Sequence, residues 1–158
     1  MRKISRLTAV ILMAAVIAAL FASCSKKPSD SAAFKKLAES KGYEVSDITA
    51  QYVNAPQIKE AIITAPKDRD FQIEFYTITD PENAKKLYQA QNEAINGYAG
   101  SEGNSNVSNG KNYAKRTVVT NDGHFVMVSY VENTVVYVPP TDKKHKDTIE
   151  KFLDEFKY

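Results

Sequence analysis

Three amphipathic segments separated by runs of strand-forming residues predict an α+β fold, with an antiparallel sheet of about six strands and three helices. Three observations carry this. Apolar residues recur at helical spacing in three places, each behind a recognisable start signal. The stretches between them are rich in β-branched and aromatic residues that alternate with polar ones. The links joining those stretches are short and turn-forming, which favours antiparallel neighbours over long crossovers. The expected order is α-β-β-β-α-β-β-β-α, with the helices burying their apolar stripes against the sheet.

The first helix starts at Ser29, Asp30 or Ser31, all good N-caps, and stops before Gly42. It gathers Ala33, Phe34, Leu37 and Ala38 on one face and sets Lys35, Lys36 and Glu39 opposite. Tyr43 to Tyr52 reads as a weak strand. Ile58 to Ala65 and Phe71 to Thr79 read as a hairpin across Pro66-Lys67-Asp68-Arg69-Asp70. Asp80-Pro81-Glu82 then opens the second helix. Asp caps it, Pro occupies the first position, where a missing N–H removes no bond, and Glu meets the positive dipole end. Ala84, Leu87, Tyr88, Gln91 and Ile95 follow on one face.

Gly97 to Asn112 holds four of the six glycines among Ser and Asn and reads as a flexible loop. Gly103 to Lys111 is no phosphate-binding loop: six residues, not four, separate Gly103 from Gly110, Asn112 replaces the required hydroxyl, and a helix precedes it. Tyr113 to Thr120, His124 to Val131 and Thr134 to Val138 are the last three strands. Asp122-Gly123 suits a tight primed turn, and Glu132-Asn133 is the second connection. The third helix opens near Thr141 or Asp142 and places Ile149, Phe152, Leu153 and Phe156 at i, i+3, i+4 and i+7.

An internal similarity suggests two related hairpin-plus-helix units. Lys59 to Thr64 followed by Phe71 to Tyr76 parallels Lys115 to Thr120 followed by Phe125 to Tyr130, and a helix follows each. If the units share an ancestor, residues 59–95 should superpose on 115–157 with Phe71 and Phe125 on one face.

The N-terminus carries the strongest functional signal. Met1 to Arg6 is short and basic, Leu7 to Leu20 is almost unbrokenly apolar, and Phe21-Ala22-Ser23-Cys24 closes the run with small residues and the chain's only cysteine. The order is that of a secretory signal. About 14 apolar residues fall short of the roughly 20 needed to cross a bilayer core. Leu20 to Cys24 resembles the lipobox of bacterial lipoproteins, with Phe21 where that family most often has Leu. The resemblance implies a diacylglyceryl group on the Cys24 sulfur and cleavage just before it by signal peptidase II. The downstream chain is also similar to small uncharacterised lipoproteins of Gram-positive bacteria, through its first helix, Gly42-Tyr43, Phe71 to Tyr76 and the Asp80 helix. That likeness implies no activity.

On this reading residues 1–23 are a signal peptide, 24–30 a lipidated tether and 31–158 a single α+β domain with a flexible loop at 97–112. Of 158 residues, loss of the first 23 leaves 135, enough for one core. Arg2, Lys3 and Arg6 leave with the signal, so 21 basic residues fall to 18 against 19 acidic, and the formal charge falls from +2 to −1. No basic excess points to nucleic acid. With Cys24 acylated there is no disulfide, and the lipid is the expected link to the membrane on its outward side. Six extended residues, Ser25 to Asp30, reach about 20 Å at most, so the domain should hang near the bilayer, with Lys26 and Lys27 within reach of headgroups.

The residues that could carry chemistry are scattered. His124 sits beside a turn and His145 among lysines, without zinc spacing. Asp68, Asp70 and Glu74 lack the pattern of a calcium loop. No cofactor, metal or catalytic residue is expected. Alternation sends Gln72, Glu74 and Tyr76 to the sheet face opposite Phe71, Ile73 and Phe75, and the repeat adds Tyr130. Those four form the candidate partner-binding face, unless the first helix or the long loop covers it. The expected function is a lipid-anchored envelope protein that binds an unidentified protein or ligand. Rival readings are an enzyme acting on envelope material and an accessory subunit of an envelope complex.

Overall fold

The computed structural model describes residues 26–98 and 103–158, so the signal segment 1–23 and Cys24 lie outside the described residues. The elements are α1 (Ser31–Ser40), β1 (Glu44–Asp47), a 3-10 turn (Thr49–Tyr52), β2 (Ile58–Ala65), β3 (Ile73–Ile78) and α2 (Pro81–Tyr98). Then follow β4 (Asn104–Asn109), β5 (Tyr113–Val119), β6 (His124–Val131), β7 (Thr134–Asp142), a second 3-10 turn (Lys143–His145) and α3 (Lys146–Glu155). The class is α+β, as the sequence predicts, with seven strands among the described residues instead of about six. They form one fully antiparallel sheet in the order β1-β2-β3-β7-β6-β5-β4.

Local chemistry accounts for most boundaries. The Asp30 carboxylate accepts from the Ala33 N–H at 2.7 Å and starts α1, and Gly42 leaves it at φ +74. Asp80 accepts from the Asn83 N–H at 2.9 Å at the head of α2, a bond that holds its carboxyl below the usual range. The third helix begins at Lys146, later than expected. Asp142 instead caps the short 3-10 turn by accepting from the Lys144 N–H. β7 runs past Val138 through two prolines. They are tolerated because pairing with β3 ends at Tyr137 and the β6 register shifts between Phe125 and Met127, a bulge where a ladder donor is not needed.

The expected loop at 97–112 is corrected. α2 runs through Gly97 to Tyr98, and Asn104 to Asn109 pair with Val119 to Ala114 as an edge strand. All six β4 residues are exposed, so the strand needs no apolar alternation and its composition carries no strand signal. Gly110 follows because an added Cβ would run into the Tyr113 ring.

Alternation divides the core into two layers. Phe71, Ile73 and Phe75 share a face with Phe125 and Met127, where α1 and α3 bring Phe34, Phe152 and Phe156. The Phe34 ring lies 5.1 Å from Phe75, 5.7 Å from Phe152 and 5.2 Å from Phe156. On the other face Tyr76, Val126, Val128 and Val135 meet Ala84, Tyr88 and Ile95 of α2. The second face is therefore covered in part, by α2 and by the 3-10 turn with Tyr52, and not by the first helix or the long loop.

This topology contradicts the duplication. β3 and β6 each run antiparallel to β7, so they point the same way, and Phe71 and Phe125 face the same side. Yet β2 flanks β3 on one side while β5 flanks β6 on the other. Overlaying β6 on β3 with their phenylalanines matched puts β5 where β7 lies. The helices that follow also pack on opposite faces. The shared Lys-to-Tyr pattern reflects common strand alternation.

Candidate functional site

Gln72, Glu74 and Tyr76 converge on the α2 side of β3. Strand pairing sets Ser46, Ile63, Glu74 and Tyr137 in one row across β1, β2, β3 and β7. α2 packs over β6 and β7 and reaches β3, and the 3-10 turn Thr49–Tyr52 packs on β2, so that this face stays open only beside β1 and the neighbouring end of β2. There a hollow of about 240 Å³ opens, lined among others by Glu44, Ser46, Ile48, Ile63, Arg69 and Gln72.

Glu74 does not line that hollow itself but is the strand partner of Ile63 and the acceptor of Gln72, which do, and both of its oxygens are engaged. The Tyr76 hydroxyl donates to one, and the Gln72 side-chain amide donates to the other at 2.6 Å. The Tyr52 hydroxyl lies 3.1 Å from that of Tyr76. Burial, then the hydrogen bond to Glu74 and its charge, push the Tyr76 phenol far above its ordinary value, so it stays a proton donor. Tyr137, opposite Glu74, is also raised, by burial first and by Glu74 second. A carboxylate has about four lone-pair sites, so two donors fix its orientation and leave acceptor capacity for an incoming N–H or cationic group.

Tyr130 does not join them. It flanks Val135 on the side opposite Tyr76 and lies half-buried against Tyr88 of α2, ring centroids 5.2 Å apart. It borders a separate hollow of about 280 Å³ with Lys85 and Asn109. Two cluster members were missed by the sequence reading. Tyr52 was assigned to a strand, but the 3-10 turn brings its ring edge-on to Tyr76 at 5.8 Å. Tyr137 could have been found by continuing the alternation of β7 from Val135.

A larger hollow, about 620 Å³, lies elsewhere, between α2 and Pro56–Ile58. Lys86 is its one charged lining residue, so it offers packing and little to orient a ligand. The histidines are apart: His124 Nδ1 lies 3.1 Å from Asp122, and His145 Nε2 3.4 Å from Asp70. Among the described residues no three His, Cys, Asp or Glu side chains are grouped to hold a metal ion, and no helix is long and apolar enough to cross a membrane. No protein family, curated protein or solved structure matches this chain.

Proposed function

We propose that this protein is a lipid-anchored domain of the cell envelope that binds a partner through the hollow beside Glu74. The anchor reading is supported by the N-terminal order of basic residues, apolar run and Ala22-Ser23-Cys24. The binding reading is carried by one observation: a carboxylate oriented by Tyr76 and by Gln72, a residue that lines a hollow in the sheet face. Such a group suits a partner that presents an ammonium or guanidinium, because a charge-assisted bond to a preoriented acceptor forms without reordering the site. Nothing in the arrangement supplies a nucleophile with its base.

The test is cross-linked capture from detergent-solubilised membranes with the full chain and with Glu74→Gln, which keeps shape and removes charge. The wild type should enrich one species that the variant enriches at least tenfold less, with both proteins compared at a temperature well below the variant's own melting midpoint, which loss of a charged acceptor for Tyr76 and Gln72 should lower by several degrees. Equal capture by both proteins overturns the assignment.

A further inference from the structure

The segment expected to be a free tether is fastened to the domain almost at its start. The Lys26 N–H donates to Asn112 Oδ1 at 3.1 Å, and Asn112 Nδ2 donates to the Lys26 carbonyl at 2.7 Å. One side-chain amide thus closes both main-chain groups of one residue, as a neighbouring strand would. Asn112 is itself held, since its Nδ2 also donates to Glu132 Oε1 at 3.0 Å and its carbonyl accepts from the Glu132 N–H at 2.8 Å. The Lys26 ammonium stands 5.1 Å above the Tyr113 ring, a cation–π distance. Further on, the Ser29 hydroxyl donates to the Phe156 carbonyl at 3.0 Å.

We propose that Asn112 buckles the tether and thereby lays one corner of the domain, bearing Lys26, Lys111 and Lys115, on anionic phospholipid headgroups in a single orientation. The proposal rests on the reading that Cys24 carries the lipid. Two residues of extended chain span about 7 Å at most, so an acylated Cys24 lies within that distance of Lys26. An unfastened tether would allow about 20 Å and free tumbling. The corner is basic. Lys27 and Lys111 are exposed, and Lys115 is close enough for its charge to help lower the Lys26 pKa, behind burial as the main cause. Two acids stand near these four lysines: Glu132, which is hydrogen-bonded by Asn112, and Asp154, whose charge acts on Lys26 in the opposite sense to Lys115. The opposite end of the sheet, with the Pro66–Asp70 turn, lies one strand away, about 27 Å for eight residues.

Because Cys24 is the only cysteine, an acylated chain has no free thiol and an introduced one is unique. Asn109→Cys marks the corner and Lys67→Cys the far end. Each is labelled with a fluorophore in the lipidated protein, in phosphatidylcholine–phosphatidylglycerol vesicles carrying a headgroup quencher. The label at 109 should be quenched severalfold more than the label at 67. Asn112→Ala should even the two, and so should six Gly-Ser residues inserted between Ser25 and Lys26, a change that leaves the fold untouched. Equal quenching in the parent, or a difference that survives both changes, overturns the buckle. Fatty-acid labelling of the same samples separates the premises: a chain without acyl label overturns the anchor and the buckle with it, whereas a labelled chain with equal quenching overturns the buckle alone.

Discussion

Replacing Tyr76 by Ala and by Phe separates packing from hydrogen bonding at the candidate site. The ring is 4% exposed and meets Tyr52 edge-on at 89°. Tyr76→Ala removes a large buried aromatic and should cost about 3 to 5 kcal/mol. Tyr76→Phe keeps the ring and deletes the donor to a carboxylate, a bond whose net contribution is about 1.5 to 3 kcal/mol. Glu74 is only half-buried and water can replace part of that bond, so the lower end, about 1.5 kcal/mol, is expected. At about 4 °C per kcal/mol for a chain of this size, the midpoints should fall by about 6 °C for Phe and about 12 to 20 °C for Ala. Urea titration with an unchanged slope, alongside thermal melts, reads both. Tyr130→Ala, on a half-buried ring, should cost less than Tyr76→Ala. A loss under about 1 kcal/mol for Tyr76→Ala would refute the packed ring. A neutral Tyr76→Phe would refute the hydroxyl–carboxylate bond that orients Glu74.

Two further outcomes follow from burial and backbone geometry. Burial raises the phenol pKa values of Tyr43, Tyr76, Tyr88, Tyr137 and Tyr158 above 10.0, so above that pH the unfolded chain releases protons that the folded chain keeps. Stability should therefore be full below pH 10 and fall as pH rises, at about 1.4 kcal/mol per unit for each fully protonated tyrosine. Tyr76 and Tyr158 should contribute most, so Tyr158→Phe should flatten the slope; a denaturation midpoint constant from pH 9 to 11 would contradict this. Arg69 adopts φ +56, and its 3.2 Å pair with Glu44 is 77% and 51% exposed, which leaves little to lose. Arg69→Gly should stabilise by about 0.5 kcal/mol, strain relief exceeding the added unfolded-state entropy; a loss above about 1 kcal/mol in urea would contradict it.

The legible parts of the fold are those where periodicity and end signals agree. β2 and β6 match the expected Ile58 to Ala65 and His124 to Val131, because alternation is clear and turns bound them. α2 begins where Asp80-Pro81-Glu82 says it must. β4 was hidden because an exposed edge strand is held by main-chain pairing, to which Ser and Asn side chains give no clue. The sheet order was hidden for a different reason. Side-chain alternation specifies faces and says nothing of which strand lies left or right, so the Phe71 and Phe125 patterns looked equivalent while their hairpins are not. The same limit applies to the site. Alternation within β3 correctly put Gln72, Glu74 and Tyr76 together, whereas carrying it across to Tyr130 ignored α2, which lies over β6 and claims that ring.

The central claim is that the chain is held to a membrane through Cys24, and the intact mass of protein extracted from membranes tests it most directly. The account predicts a mature chain beginning at Cys24 with a diacylglyceryl mass on its sulfur. It also predicts that Cys24→Ser loses that mass, takes up no fatty-acid label and leaves the membrane fraction. A chain that retains residues 1–23, or one with an unmodified thiol at Cys24, would contradict it.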